Sequence, residues 1–314
     1  MGWPATLMLG RGMNRPVAPF RMTGFDYLLY AGIIWGWSTS WYAMRFQLGI
    51  VSPEVSVFWR FLGTAPLMFA LAAWRGETWR MPLTTHVGLF LTGIFMFSSN
   101  FILIYYVGSV LPSGLVAVVF SLSSVINLGL GVLVFGERFR WKLALGGLLG
   151  VVGVAFMFAS EIGKMQAGTA PLWGLAVGIG GTLLFSIGNQ ISARLQKNGV
   201  RVLPAAAWGM VYGTIWAGCI GLFNDRPFQI PLTPDYLGSL AFLILSATIL
   251  AFYTYLTLVG RIGPARASYA TVIFPIFALL ISTVLESYVW TPLAMIGLAL
   301  ALAGNLLVLR RDMA

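Results

Sequence analysis

Long apolar runs separated by short polar breaks dominate this chain. Ten of them reach about 20 residues, the length that crosses a bilayer as a helix. They fall at 25–45, 54–74, 87–107, 112–135, 141–159, 171–193, 204–223, 236–259, 264–285 and 291–309. The runs are continuously apolar instead of alternating, which predicts helices and excludes the strands of a membrane barrel. The breaks are too short to hold a water-soluble domain. The pattern predicts an all-α integral membrane protein with ten transmembrane helices.

Composition agrees. The chain is 59% hydrophobic and 9% charged, whereas soluble domains carry about 25% charged residues. The net charge of +10 raises nucleic acid as a partner. However, no basic face is long enough to track a phosphate backbone, and the bias of Lys and Arg toward cytoplasmic loops explains the excess better. With both termini cytoplasmic, fifteen of the 19 Lys and Arg residues lie inside. Only Arg45, Lys164 and Arg226 lie outside, and Arg60 alone falls within a span. The asymmetry predicts an N-in, C-in topology. Residues 1–24 hold Arg11, Arg15 and Arg21 without an apolar core and cleavage site, so they read as a cytoplasmic tail and not a signal peptide. Cys219 is the only cysteine and lies in an apolar run, which leaves no intramolecular disulfide or cysteine metal site.

Two stretches resemble each other across the chain. YYVGSVLPSGLVAVVF followed by VFGERFRW is matched by LTLVGRIGPARASYAT followed by VLESYVW, aligning Pro112, Glu137 and Trp141 with Pro264, Glu286 and Trp290. Weaker echoes at a similar interval pair Trp35 with Phe185, and Gly63-Thr64 with Gly213-Thr214. Each half, 25–162 and 168–310, contains five spans. Five is odd, so the second copy enters the membrane from the opposite side. The charges agree: the Glu137 loop carries Arg138, Arg140 and Lys142, while the Glu286 loop carries no Lys or Arg. Inverted repeats are a mark of secondary transporters, whose substrate sits near the midplane between the halves.

IIWGWSTSWYAMR in the first span, the Pro53-to-Arg60 opening of the second, FGE ending the fourth and Gly263-Pro264 occur in an order that resembles the drug/metabolite transporter superfamily. Its EamA-type ten-helix members are the most similar. The glycine-rich LGGLLGVVGVAFMF and its counterpart IGLALALAGNLLVL fit as well, and the resemblance covers about 25 to 310. One departure is that the first half has Ser121, Ser123 and Ser124 where the ninth span has Pro275. The resemblance implies a 5+5 inverted-repeat carrier that moves small metabolites by alternating access. It also implies a central cavity among spans 1, 3, 4, 6, 8 and 9, with spans 5 and 10 peripheral. Gly146-x-x-x-Gly150 and Gly297-x-x-x-Ala301 suit close helix packing there.

Ionisable groups inside a membrane are costly and functional by default. All nine acids fall at or near span ends, and His86, the only histidine, precedes the third span. No midplane carboxylate is left to relay protons or attract a cation. The four-helix multidrug antiporters of the same superfamily depend on an embedded glutamate, so the comparison argues against cationic drug export. Arg60 has three open readings: a side chain that snorkels to the outer interface, one bonded to helix carbonyls, or one that binds a substrate carboxylate or phosphate. Uncharged polar residues deep in apolar runs complete the candidate substrate site, which comprises Trp35, Trp37, Thr39, Arg60, Asn100, Asn127, Asn189, Gln190, Tyr253 and Thr257. For each amide, interhelical hydrogen bonding is the competing reading. Trp74, Trp141, Trp173 and Trp290 suit interface belts.

These residues predict an exporter or facilitator of small metabolites, amino acids first, in a bacterial inner (plasma) membrane, with no cofactor. A nucleotide-sugar or sugar-phosphate carrier is the alternative within transport, but it would call for a second embedded Lys or Arg. A polytopic membrane enzyme needs a nucleophile or metal cluster, and HExxH, G-x-S-x-G and G-x-x-x-x-G-K-[ST] are all absent. A structural membrane subunit fits poorly with midplane amides. Monomer and homodimer are equally compatible with the sequence.

Overall fold

The computed structural model describes residues 22–135, 141–164, 170–262, 267 and 270–309, and all regular structure among them is helical. The N-terminal tail with its three arginines, Glu137 with Arg138 and Arg140, and Gly263, Pro264 and Arg266 lie outside the described residues. So does the chain beyond 309.

Thirteen α-helical segments follow in order. They are α1 (Gly24–Arg45), α2 (Pro53–Trp74), α3 (Leu83–Ile94), α4 (Asn100–Gly108), α5 (Ser113–Ser121), α6 (Ser123–Phe135) and α7 (Trp141–Lys164). After these come α8 (Ala170–Lys197), α9 (Val202–Phe223), α10 (Pro234–Ile244), α11 (Ala251–Ile262), α12 (Ala270–Leu285) and α13 (Pro292–Leu309). A wider π-helical turn, π1 (Phe95–Ser99), joins α3 to α4, and a second, π2 (Leu245–Leu250), joins α10 to α11. Among the described residues, six helical stretches are long and apolar enough to cross a membrane: Pro53–Trp74, Leu83–Gly108, Ser113–Val134, Pro171–Lys197, Val202–Phe223 and Pro234–Tyr255. Three shorter apolar helices accompany them.

Local chemistry sets the boundaries. Thr23 and Asp26 form a reciprocal capping box at the start of α1. Pro53 and Pro234 open α2 and α10, where a missing N–H costs nothing. The fourth apolar run is broken at Leu122 between α5 and α6. Ser121 Oγ donates back to the Val118 carbonyl (2.7 Å) and Ser124 Oγ to the Ser121 carbonyl (3.1 Å). Such back-bonding competes with the helical ladder and bends it. The serines therefore accompany a break where Pro275 stands inside α12.

Packing relates the two halves of the chain. α2 lies along α9, and α7 along α13. α1 packs on π2, α11 and α12, while α8 packs on π1, α4 and α6. Glycines bring the α7–α13 backbones together: a Cβ on Gly153 would meet the Gly297 carbonyl oxygen at 2.4 Å, and one on Gly304 would meet that of Gly146 at 2.3 Å. The same device recurs at the π turns. A Cβ on Gly36 of α1 would meet the Ser246 carbonyl in π2 at 2.8 Å, and one on Gly188 of α8 would meet Met96 Cβ in π1 at 2.6 Å.

Turns with positive φ recur at a shared interval too. Gly49 and Gly199 adopt positive φ (77° and 86°) in the turns after α1 and α8, and Gly76 and Asp225 (68° and 51°) do so after α2 and α9. Thr64 donates to the Arg60 carbonyl and Thr214 to the Met210 carbonyl. Trp35 and Phe185 break the pattern: Trp35 is 59% exposed beside Phe242, whereas Phe185 packs on Phe120 in the interior.

Candidate functional site

α1 is tied at both ends. At one end, Arg261 Nε donates to Asp26 Oδ1 and its Nη2 to Thr23 Oγ1. At the other, Glu286, just beyond α12, accepts from Arg45 Nη1, from Ser113 N (2.9 Å) and Oγ (2.7 Å), and from Ser282 Oγ. Ser113 is the first residue of α5, so the carboxylate also meets the positive end of that helix. One buried carboxylate thus gathers α1, α5 and α12.

Between these ties lies an aromatic layer. The Trp37 ring is 5.5 Å from that of Tyr255 and 6.1 Å from Phe274. One turn further, Trp41 stacks on Phe274 (6.3 Å, 11°) and tilts against Phe120 (5.3 Å), which meets Phe185 at 4.7 Å. These residues come from α1, α5, α8, α11 and α12. The indole N–H of Trp41 is buried with no partner among the described residues. Two turns along from Phe120, Gln190 Nε2 donates to the Asn127 carbonyl (2.9 Å) and Asn189 Nδ2 to Asn127 Oδ1 (3.3 Å). On the α1 side, Ser38 Oγ donates to the Phe274 carbonyl (3.0 Å). Aromatic faces, with amides that both donate and accept two turns away, make a neutral, amphiphilic layer.

The other sequence candidates fall elsewhere. Trp35 and Thr39 line a lateral groove of ≈ 390 Å³ between α1 and α10, with Tyr42, Phe46, Asp235 and Phe242. Tyr253 and Thr257 face the end of α2: Arg75 lies over the Tyr253 ring (5.1 Å) and donates to Thr257 Oγ1 (2.8 Å). Asn100 is buried at the end of π1, where Nδ2 donates to the Met96 carbonyl (2.9 Å) and Oδ1 has no partner among the described residues.

Arg60 is 6% exposed, enclosed by neighbouring helices. Its Nη2 donates to Thr248 Oγ1 in π2 (3.3 Å), and the guanidinium lies over Phe101 (4.8 Å) and Phe61 (5.6 Å). Tyr105 stands beside it and donates to Gln47 Oε1 (2.9 Å). No described carboxylate forms an ion pair with it, and Glu54 instead accepts from Tyr106 (2.7 Å).

Sequence reasoning named Trp37, Asn127, Asn189 and Gln190 of the interior layer. It missed Trp41, Phe120, Phe185 and Phe274. The Trp37–Trp41 spacing of one helical turn was the available signal.

Known proteins add the context. The EamA-like transporter family matches residues 5–159 and again 172–310. A protein called "probable amino-acid metabolite efflux pump" from Salmonella typhimurium is 25% identical, over 90% of this chain and 93% of its own. Protein PagO of the same organism is 24% identical over 81% of each chain. An uncharacterized transporter of Haemophilus influenzae is 24% identical over 83% of each. A crystal structure with 19% identity superposes at a TM-score of 0.65, covering 92% of this chain and 99% of that one, which supports the fold. With helices suited to a bilayer, an interior layer of neutral polar and aromatic groups and a match over both halves, the chain belongs to the EamA-like transporter family.

Proposed function

We propose that the protein is a secondary exporter of small metabolites, amino acids or related compounds, working by alternating access. The observation that carries this reading is the aromatic and amide layer where α1 and α8 meet α12, α5 and α6. Trp37 and Trp41 on one side, and Asn127, Asn189 and Gln190 on the other, offer π faces and neutral hydrogen-bonding groups. That lining suits a zwitterionic or uncharged solute better than a strong cation. The relative named as an amino-acid metabolite efflux pump lends weight to the substrate class.

In this reading the chain forms ten spans, with α3–π1–α4, α5–α6 and α10–π2–α11 each crossing once. Residues 25–162 and 168–310 are inverted five-helix repeats. Support comes from the paired π turns, the paired positive-φ turns and the reciprocal packing of α1 on π2 and α8 on π1. The charge distribution supports N-in, C-in in a bacterial inner membrane. Glu286 then closes the outer side in this conformation.

Counterflow in proteoliposomes tests the function. Vesicles preloaded with a neutral amino acid should accumulate the labelled species saturably, and Asn189→Ala should raise the KM about tenfold, as expected for a lost buried hydrogen-bond partner. Folded protein that exchanges no amino acid in the panel contradicts the substrate class.

A further inference from the structure

Arg60 poses a physical problem that the interior layer does not solve. An ionised group taken out of water without a counter-charge is strongly destabilising, and a guanidinium does not deprotonate to escape. Yet Arg60 has two neutral hydroxyls, those of Thr248 and Tyr105, two ring faces and no ion pair among the described residues. Its Nε, which belongs to the bidentate edge of the fork, has no partner there either. The surroundings repeat the deficit. Tyr236 and Ser56 are fully buried and set against each other, without a well-formed hydrogen bond to a described group. Thr248 is presented to Arg60 by π2, where its own hydroxyl donates five residues back to the Leu243 carbonyl (2.9 Å). π turns of this kind gather at functional sites. One buried positive charge is therefore left with neutral neighbours and no charged acceptor among the described residues.

We propose that Arg60, with the hydroxyls of Ser56 and Tyr236, is an anion site that takes the carboxylate of the transported solute. A carboxylate supplies the missing charge, accepts from two edges of the guanidinium and has lone pairs for the hydroxyls. The site stands apart from the aromatic and amide layer and rests on the reading of the protein as an amino-acid exporter. It adds to that reading a requirement for a free carboxylate.

The test compares L-leucine and L-phenylalanine, then their N-acetyl derivatives, with the matching N-acetyl amides, which differ only in the carboxylate. Thermal melting in nanodiscs reads binding, and counterflow reads transport. The acids should raise the wild-type melting temperature and compete in counterflow, while the amides do neither. Arg60→Gln should abolish that difference, and Arg60→Lys should weaken acid binding about tenfold, because an ammonium lacks the planar fork. Without solute, Arg60→Gln should melt no lower than wild type, since the uncompensated charge is gone; a marked drop would identify a structural anchor and overturn the proposal. Tyr236→Phe removes a single hydroxyl and keeps the test open if Arg60→Gln does not fold; it should weaken the acids several-fold. Equal binding of acids and amides overturns the site, as does unchanged acid affinity in Arg60→Gln, while amino-acid exchange in either case leaves the exporter reading standing. If chloride alone stabilises the wild type through Arg60 and the acids do not compete with it, the site holds an inorganic ion and the proposal fails. Folded wild type that neither binds nor exchanges any acid sinks both readings.

Discussion

Whether a side chain faces the interior depends on single positions along a helix. Trp35 and Trp37 differ by about 200° around α1, so they cannot share a surface. Trp37 joins the interior layer and Trp35 the lateral groove. The same geometry separates Tyr253 from Tyr255, and it is Tyr255 that meets Trp37. Polar residues in apolar runs were legible as candidates in the sequence, but the face each occupies was not. The environment of Arg60 was hidden for another reason: Thr248 and Tyr105 come from other spans. A paired prediction follows. Thr257→Ala, at a hydroxyl bonded to Arg75 away from the layer, should leave the KM in counterflow within about twofold of wild type, whereas Asn189→Ala raises it about tenfold. Equal effects would place Thr257 in the substrate path.

At the scale of the elements, the two π turns change the face that the following helix presents. A turn with an extra residue offsets the helical face by about 100°, so the apolar stripe of α10 does not continue onto α11. No residue type announces such a turn, whereas Pro53 marked the opening of the second span. The glycine seams were legible: Gly146, Gly150 and Gly297 lie where α7 and α13 touch. Gly153→Leu should lower stability by about 1–3 kcal/mol through overpacking against the α13 backbone, seen as a drop in melting temperature with the exchange KM retained. Gly36→Val should wedge α1 from π2 and reduce exchange as well, because that seam borders the interior layer. A Gly36→Val protein with wild-type exchange would remove π2 from the account.

For the whole molecule, the apolar pattern and the charge bias made membrane insertion legible, and the order of motifs pointed to the family. The ties that hold α1 at its two ends were not legible, since Arg45 with Glu286 and Asp26 with Arg261 are remote in sequence. They define the central claim, two halves that open one side of the membrane while closing the other. Glu286 fastens α1, α5 and α12 at one end, the outer one in the proposed orientation, and neutralising it removes charge-assisted bonds worth about 1.5–3 kcal/mol each, enough to shift a two-state population about tenfold or more. The decisive measurement is pulsed electron–electron distance spectroscopy on spin-labelled protein with Cys219 replaced by Ser. One label pair, Ile50→Cys with Val289→Cys, spans the outer end, and another, Leu133→Cys with Asn198→Cys, spans the inner end. On Glu286→Gln, the outer distance should lengthen and the inner one shorten. Distances that change in the same direction, or not at all in folded protein, would contradict alternating access built on these halves.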